Sequence, residues 1–335
     1  MKTNPNCRKL TLGSKIVMGT LTLLMAAFFS APVIAADVNF KGQTITFVVP
    51  VTPGGGFDTA SRMLVPYLEK HLPGHPNVIV KNVPGGEWNI GIGKMYRAKP
   101  DGKTIAILNM PGNAVSQVIG TAKFDLRKIT WLGNISQVTY VTALSLKSGL
   151  HSLEDCQKAD EVVSGVVGLA STAGLGTIIA GERMGIKMKP IPHGGSSEAI
   201  LGAIRGDIDW VQYPFTSLKK SIIDSSDLMP VWVFAKERLE QLPNVPTVAE
   251  LGYADLLDIV SMYRPVGAPP GLPDAIAKVW YEAFWNATND PEFQKKMRDA
   301  DRNVYPMRPK ETAELVDRGI IEVEKYKGLI LKYLK

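Results

Sequence analysis

Short β-branched runs and longer stretches of helical spacing alternate along this chain. Residues 45–49 (Ile-Thr-Phe-Val-Val) form a run of strand length, stopped by residues 50–56 with two prolines and three glycines. From Asp58 the apolar positions Ala60, Met63, Leu64, Tyr67 and Leu68 follow helical spacing. Pro66 falls inside that stretch, where a proline costs roughly 3 kcal/mol, so a kink or a short first helix is expected. Asn77–Asn82 reads as the second strand, broken by Pro84-Gly85-Gly86, and 89–98 as a helix. Lys99-Pro100-Asp101-Gly102 is a turn, and 104–108 the next strand. Strands alternating with helices at this spacing predict βαβ units and a mostly parallel sheet in an α/β fold.

Residues 131–146 are extended in character, and a second alternating set starts past Gly149. It reads as strand 161–167, a small-residue turn 170–176, helix 177–184 and strand 187–191. Pro192-His193-Gly194-Gly195, a helix at Ser196–Arg205, a strand at 209–212, a helix near 215–225 and a strand at 229–234 follow. The halves share a plan of strand, Gly/Ser-rich turn and helix, with no residue-level repeat. Ile276, Val279, Trp280, Ala283 and Phe284 give the buried stripe of an amphipathic helix. Residues 309–334 read as one long charged helix, and the Gly/Pro-rich 266–273 as the return crossing between two halves.

Composition changes the picture at the N terminus. Residues 1–36 carry Lys2, Arg8, Lys9 and Lys15, no acid, an apolar core over 16–29 and small residues up to Ala35 and Ala36. That is a secretory signal peptide, cleaved near Ala35 or Ala36, and it predicts periplasmic export. Without it, 34 Lys and Arg face 32 Asp and Glu, a net of +2, which removes most support for a nucleic-acid partner. Of the two cysteines Cys7 goes with the signal, leaving Cys156 and no intrachain disulfide. With 45% apolar residues, a chain of 335 residues can stand on its own core and hold two domains.

Catalytic signatures are missing. There is no His-Glu-x-x-His, Gly-x-Ser-x-Gly or Cys-x-x-Cys string, and His71, His75 and His151 sit beside turns. Asp207 and Asp209 look like the entry to a strand rather than an acid/base pair. No cluster has zinc-ligand spacing, and the glycines at 54–56 match neither a P-loop nor a dinucleotide fingerprint. No cofactor is implied. What remains is four small-residue loops, each at a strand's end: Gly54-Gly55-Gly56; Gly85-Gly86 with Asn89; Ser171-Thr172-Ala173-Gly174; and His193-Gly194-Gly195-Ser196. A helix N terminus after such a loop offers free N–H groups and positive potential to an anion. The loops suit an organic acid held by backbone amides, hydroxyls and water, with no need of lysine or arginine.

Four strings, PVTPGGGFDTASR, NVPGGEWNIG, KPDGKT and QLPNVPTVAELGY, closely resemble the periplasmic receptors of tripartite tricarboxylate transporters, often called Bug receptors. The resemblance runs from about Gln43 to the C terminus. It implies a two-lobed, Venus-flytrap periplasmic binding protein with its ligand cleft between the lobes. Lobe 1 would be residues 37–142 plus 256–335, and lobe 2 residues 143–255. It implies a receptor rather than an enzyme, which closes on a carboxylate-bearing solute and delivers it to membrane permease subunits. The alternative partner is a sensor kinase to which the same receptor presents its ligand.

Carried over by this resemblance, the first-lobe ligand positions are Gly54, Gly55, Phe57 and Asp58, with Asn89 and Asn109. Asp58 is expected to cap or orient the first helix rather than touch an anion. In the second lobe they are Ser171, Ala173, Gly174, Thr177, His193 and Gly194. The sequence departs from the family at IPHGG, at Glu87-Trp88 and at VSMYRP, residues 260–265. Trp88, His193, Tyr213 and Tyr263 are therefore expected either to shape an unusual pocket for an aromatic or long dicarboxylate or, for Trp88, to pack under the loop.

Overall fold

A computed structural model describes residues 38–169 and 171–334; the signal-peptide reading of 1–36 lies outside the described residues. In the first half, β1 (Thr44–Val49), α1 (Gly56–His71), β2 (Asn77–Asn82), α2 (Asn89–Tyr96), β3 (Thr104–Ile107), α3 (Ala114–Val118) and β4 (Thr130–Val138) follow in order. The next group is β5 (Tyr140–Ser145), α4 (Leu153–Lys158), β6 (Val162–Val166), α5 (Thr172–Met184), β7 (Met188–Pro192), α6 (Ser196–Arg205), β8 (Trp210–Pro214), α7 (Phe215–Lys219) and β9 (Leu228–Phe234). The chain ends with α8 (Leu257–Val260), β10 (Met262–Ala268), α9 (Asp274–Asn289), α10 (Pro291–Asp299), α11 (Pro309–Lys325) and α12 (Lys327–Tyr333).

The strands form two five-stranded sheets, ordered β2-β1-β3-β10-β4 and β7-β6-β8-β5-β9. Both are mixed. The βαβ units place β2, β1 and β3 parallel, and likewise β7, β6 and β8. The fourth strand of each sheet, β10 or β5, is the first one laid down after the chain arrives from the other sheet, and it pairs antiparallel on both sides. Parallel pairing needs a helical crossover within one sheet, and an arriving strand has none. The passage from the first sheet to the second is a single residue, Thr139, so residues 131–146 are two strands in different sheets.

Three other expectations change. Helix α1 runs its full 16 residues through Pro66 instead of ending there. Burial of Leu64 and Leu68 against the first sheet outweighs the lost hydrogen bond. Residues 266–268, expected in a crossing loop, finish β10, a buried strand whose Pro265 and Gly267 sit at the irregular steps of its pairing with β4. The long terminal helix is two, broken at Tyr326.

One apolar cluster joins β1 and α1 to α9 and α10 through Phe47, Leu68, Trp280, Phe284 and Phe293. The other takes in Val48, Ile92, Ala106 and Leu108 of the first half and packs the second sheet around Trp210 and Trp232, whose rings meet edge to face at 5.0 Å. Burying side chains of this size stabilises each sheet by roughly 1.5–3 kcal/mol per residue. The sheets are thereby rigid platforms, and the loops at the ends of β1, β6 and β7 are held in place by them.

Candidate functional site

Three of the loops that follow parallel strands open helices of ten residues or more: α1 after β1, α5 after β6 and α6 after β7. Their N termini border one cavity of about 500 Å³, lined by Gly55, Gly56, Ser171, Thr172, Gly194, Gly195 and Ser196. Each is built by a specific local device. At α1, Gly54 adopts φ +88°, which a side chain resists, and the Asp58 carboxylate accepts the Gly54 N–H at 2.9 Å. At α6 the Glu198 carboxylate accepts the Gly194 N–H at 2.7 Å in the same relation. Both acids stand at the third helical position and hold the amide just outside the cap. The halves thus share a short Gly-Gly-x-x-acid string, residues 54–58 and 194–198 of which are equivalent, contrary to the absence of any residue-level repeat.

At α5 the start is earlier than expected. Ser171 caps it by accepting the Gly174 N–H at 3.0 Å, so the small-residue stretch is the helix's first turn. Gly174 packs directly on the preceding loop. A Cβ there would stand 2.1 Å from the Gly168 carbonyl oxygen.

Of the residues singled out in the sequence, Gly55, Phe57, Trp88, Asn109, Ser171, Ala173, Gly194 and Tyr213 border the cavity. The other six do not line it. Gly54 and Asp58 are linked to each other, and Asp58 also accepts from Arg62 and Asn82. Burial alone would raise the Asp58 carboxyl's pKa, yet these hydrogen bonds hold it below the ordinary value. Its lone pairs are taken, which keeps it ionised and off the wall. Asn89 donates to Ser116 Oγ at 3.1 Å. The Gly174 amide is used by Ser171, and Thr177 is buried within α5. His193 is half-buried with Nδ1 2.8 Å from the Ile191 carbonyl.

Trp88 borders the cavity and packs on a neighbouring ring. It follows Glu87 in the left-handed region, at φ 79° and 49° respectively, and meets the Phe57 ring edge-on at 4.5 Å while facing the cavity. Tyr213 offers its ring, because its hydroxyl donates to the Gly165 carbonyl at 3.0 Å. Tyr263 belongs elsewhere. It lines a separate hollow of about 680 Å³ with Tyr305, into which none of the three helix N termini opens.

Two features of the cavity wall were not anticipated. Asn109, at the end of β3, accepts a hydrogen bond from Thr172 Oγ1 of α5 at 2.7 Å, tying the first sheet's loop to the second's helix. Arg264, on β10, is 5% exposed and has no carboxylate within 4.0 Å among the described residues. Its Nη1 donates to Ser136 Oγ at 2.9 Å, its Nε has no partner, and its guanidinium lies 4.9 Å over the Phe57 ring. Burial first, and then the charge of nearby Arg302, push its pKa down to about 10, so it stays a cation at neutral pH. Among the described residues Arg302 also borders the cavity without a carboxylate partner, whereas neighbouring Lys219 is paired with Asp301 at 2.8 Å. The missed signal was a lone cation inside the bulky apolar run 259–268. Leaving a buried charge uncompensated costs several kcal/mol, which an arriving anion would recover.

Among the described residues no group of three or more His, Cys, Asp or Glu could hold a metal ion, and no helix is long and apolar enough to cross a membrane.

Residues 61–333 match the family described as tripartite tricarboxylate transporter family receptor. Protein BugT of Bordetella pertussis is 28% identical over 275 residues, covering 76% of this chain and 80% of its own. An R. palustris protein solved with adipate has a TM-score of 0.73 at 22% identity, covering 86% of this chain and 97% of that one. MatC from Rhodopseudomonas palustris with bound malate has a TM-score of 0.72 at 18% identity, with 85% and 98% covered.

Proposed function

This chain belongs to the tripartite tricarboxylate transporter family receptors, and from that premise we propose that it captures a carboxylate-bearing organic acid in the periplasm and delivers it to the membrane permease of such a transporter. As a member of a receptor family it binds a solute rather than transforming one. One observation carries the reading. Three helix N termini and a buried, unpaired Arg264 border the same cavity of about 500 Å³, a size suited to a small acid. The malate and adipate held by MatC and its R. palustris neighbour support the ligand class.

In this reading the N-terminal segment directs export and is removed. The acid is bound from both sides, by Gly55 and Gly56 on the first half and by Ser171, Thr172, Gly194 and Ser196 on the second. Contacts made from both sides favour the closed arrangement by their own free energy, and the Asn109–Thr172 hydrogen bond is one clasp of that state. Ligand-induced closure then marks the loaded receptor for the permease.

Thermal unfolding of the purified protein against mono-, di- and tricarboxylates, aromatic acids and neutral solutes tests this. An acid at about 100 times its dissociation constant adds roughly 2.7 kcal/mol and moves the midpoint by several degrees. Shifts with acids and none with their neutral amides support the proposal. Shifts with neutral solutes alone overturn it.

A further inference from the structure

Arg264 and Arg302 converge on one point of the cavity wall. Arg264 Nη2 lies 3.0 Å and Arg302 Nη1 3.6 Å from where a Cβ on Gly56 would stand, and Gly56 is the first residue of α1. Two guanidinium groups and a helix N terminus therefore face the same small volume. The other ionisable side chains bordering the cavity, Lys219 and Asp301, neutralise each other, so the wall carries two uncompensated positive charges. The Arg264 head otherwise donates to Ser136 and lies over the Phe57 ring.

We infer that the ligand is a dianion whose two carboxylates stand on adjacent carbons, both held at this corner by Arg264, Arg302 and the α1 N terminus, with an apolar planar body against Phe57, Trp88, Tyr140 and Tyr213. This inference rests on the acid-receptor reading above and narrows its substrate class. A single carboxylate would leave one of the two cations unmatched. A long dicarboxylate would bring only one acid to the corner and leave the second guanidinium there without a partner. Adjacent carboxylates match both guanidinium groups at once, and each planar fork can donate N–H bonds to a carboxylate edge. The rings that complete the wall hold the rest of the molecule: Tyr213 with its hydroxyl committed to Gly165, and Tyr140 with its hydroxyl toward Met262. The departure of VSMYRP from the family pattern is then the sequence mark of this specificity, because it supplies Arg264.

Calorimetric titration of the purified protein with benzene-1,2-dicarboxylate, benzene-1,4-dicarboxylate and benzoate reads the inference directly. The 1,2-isomer is expected to bind at least about tenfold tighter than either of the others, since truncating one partner of a buried charge pair costs that much or more. Arg302→Gln, at a half-exposed position, should collapse this preference, as should Arg264→Gln; Arg264→Lys should retain part of it. Equal affinity for the three acids, or a preference that survives Arg302→Gln, overturns the adjacent-acid inference while leaving an acid receptor. No binding by any carboxylate in the thermal panel overturns the receptor reading and this inference with it.

Discussion

Replacing Asp58 with alanine removes a side chain that never reaches the cavity yet holds its best-formed edge. The carboxylate accepts the Gly54 N–H at 2.9 Å, Asn82 Nδ2 at 2.9 Å and Arg62 Nε at 3.0 Å. The Arg62 side chain is 50% exposed, so that contact is worth little beyond a fraction of a kcal/mol. The Gly54 and Asn82 bonds are charge-assisted and shielded, at about 1.5 kcal/mol each, and the acid adds a few tenths against the helix dipole. The sum is a loss of roughly 3 kcal/mol, which for a chain of this size lowers the unfolding midpoint by roughly 5 °C. Asn82 also donates to Val51, so the release propagates along the strand-to-helix loop. Acid affinity should fall by about tenfold or more through the misplaced Gly55 and Gly56 amides. The equivalent change at Glu198, where the bond to Gly194 is exposed, should cost markedly less in the same melt. Differential scanning calorimetry paired with titration of a binding acid checks both. A melt of Asp58→Ala within about 1 °C of the parent, with affinity unchanged, would refute the reasoning and mean that the loop is held by its own backbone.

Three further outcomes are expected. Gly174→Ala places a methyl 2.1 Å from the Gly168 carbonyl, against backbone that cannot rotate away. It should destabilise by roughly 1–3 kcal/mol and weaken acid binding by moving the loop ahead of Ser171, both read in the same melt and titration. Asp290 is buried, which alone would raise its pKa, but hydrogen bonds from Lys70, His71 and the Glu292 amide bring it down to about 2. Because the folded value lies below the unfolded one, its contribution is complete above about pH 4 and fades as the pH falls toward 2, a loss on the order of 2 kcal/mol that Asp290→Asn should remove from the acid limb of a stability–pH profile. Cys156 is fully buried and its thiol is pushed up to about 12, chiefly by burial, so it should react with a thiol reagent at neutral pH only as fast as the protein opens, and rapidly in denaturant.

Much of the scaffold was legible where local chemistry and tertiary structure agree. Asn77–Asn82 is β-branched between turn residues, and Ser196–Arg205 lies between Gly195 and Gly206, so both elements sit where the spacing placed them. The alternation also located the parallel triplets and hence the three loops that face the cavity. The failures share a cause. The first turn of α5 reads as a loop because all but Leu175 of residues 171–176 are small, and the cap that makes it helical is a single hydroxyl bond. Strand β10 carries Pro265 and Gly267, whose propensities oppose a strand, and it forms because two neighbours, β3 and β4, pair with it. The cations were the costliest omission. Arg264 reaches Gly56 only because β10 returns to the first sheet after the whole second sheet has formed, a juxtaposition with no trace in local spacing. The departure of VSMYRP from the family pattern points to Tyr263 as a pocket residue, yet strand alternation turns adjacent residues to opposite faces, and Arg264 is the one that enters.

The most direct test of the account is a crystal structure of the protein with an acid that shifts its unfolding midpoint. The account predicts the acid in the cavity of about 500 Å³, one carboxylate within hydrogen-bonding distance of the Gly55 or Gly56 amide and of Arg264, with Ser171, Thr172 or Ser196 contacting it from the other side. Density in the separate hollow beside Tyr263 and Tyr305, with the cavity at the three helix N termini holding only water, would contradict it.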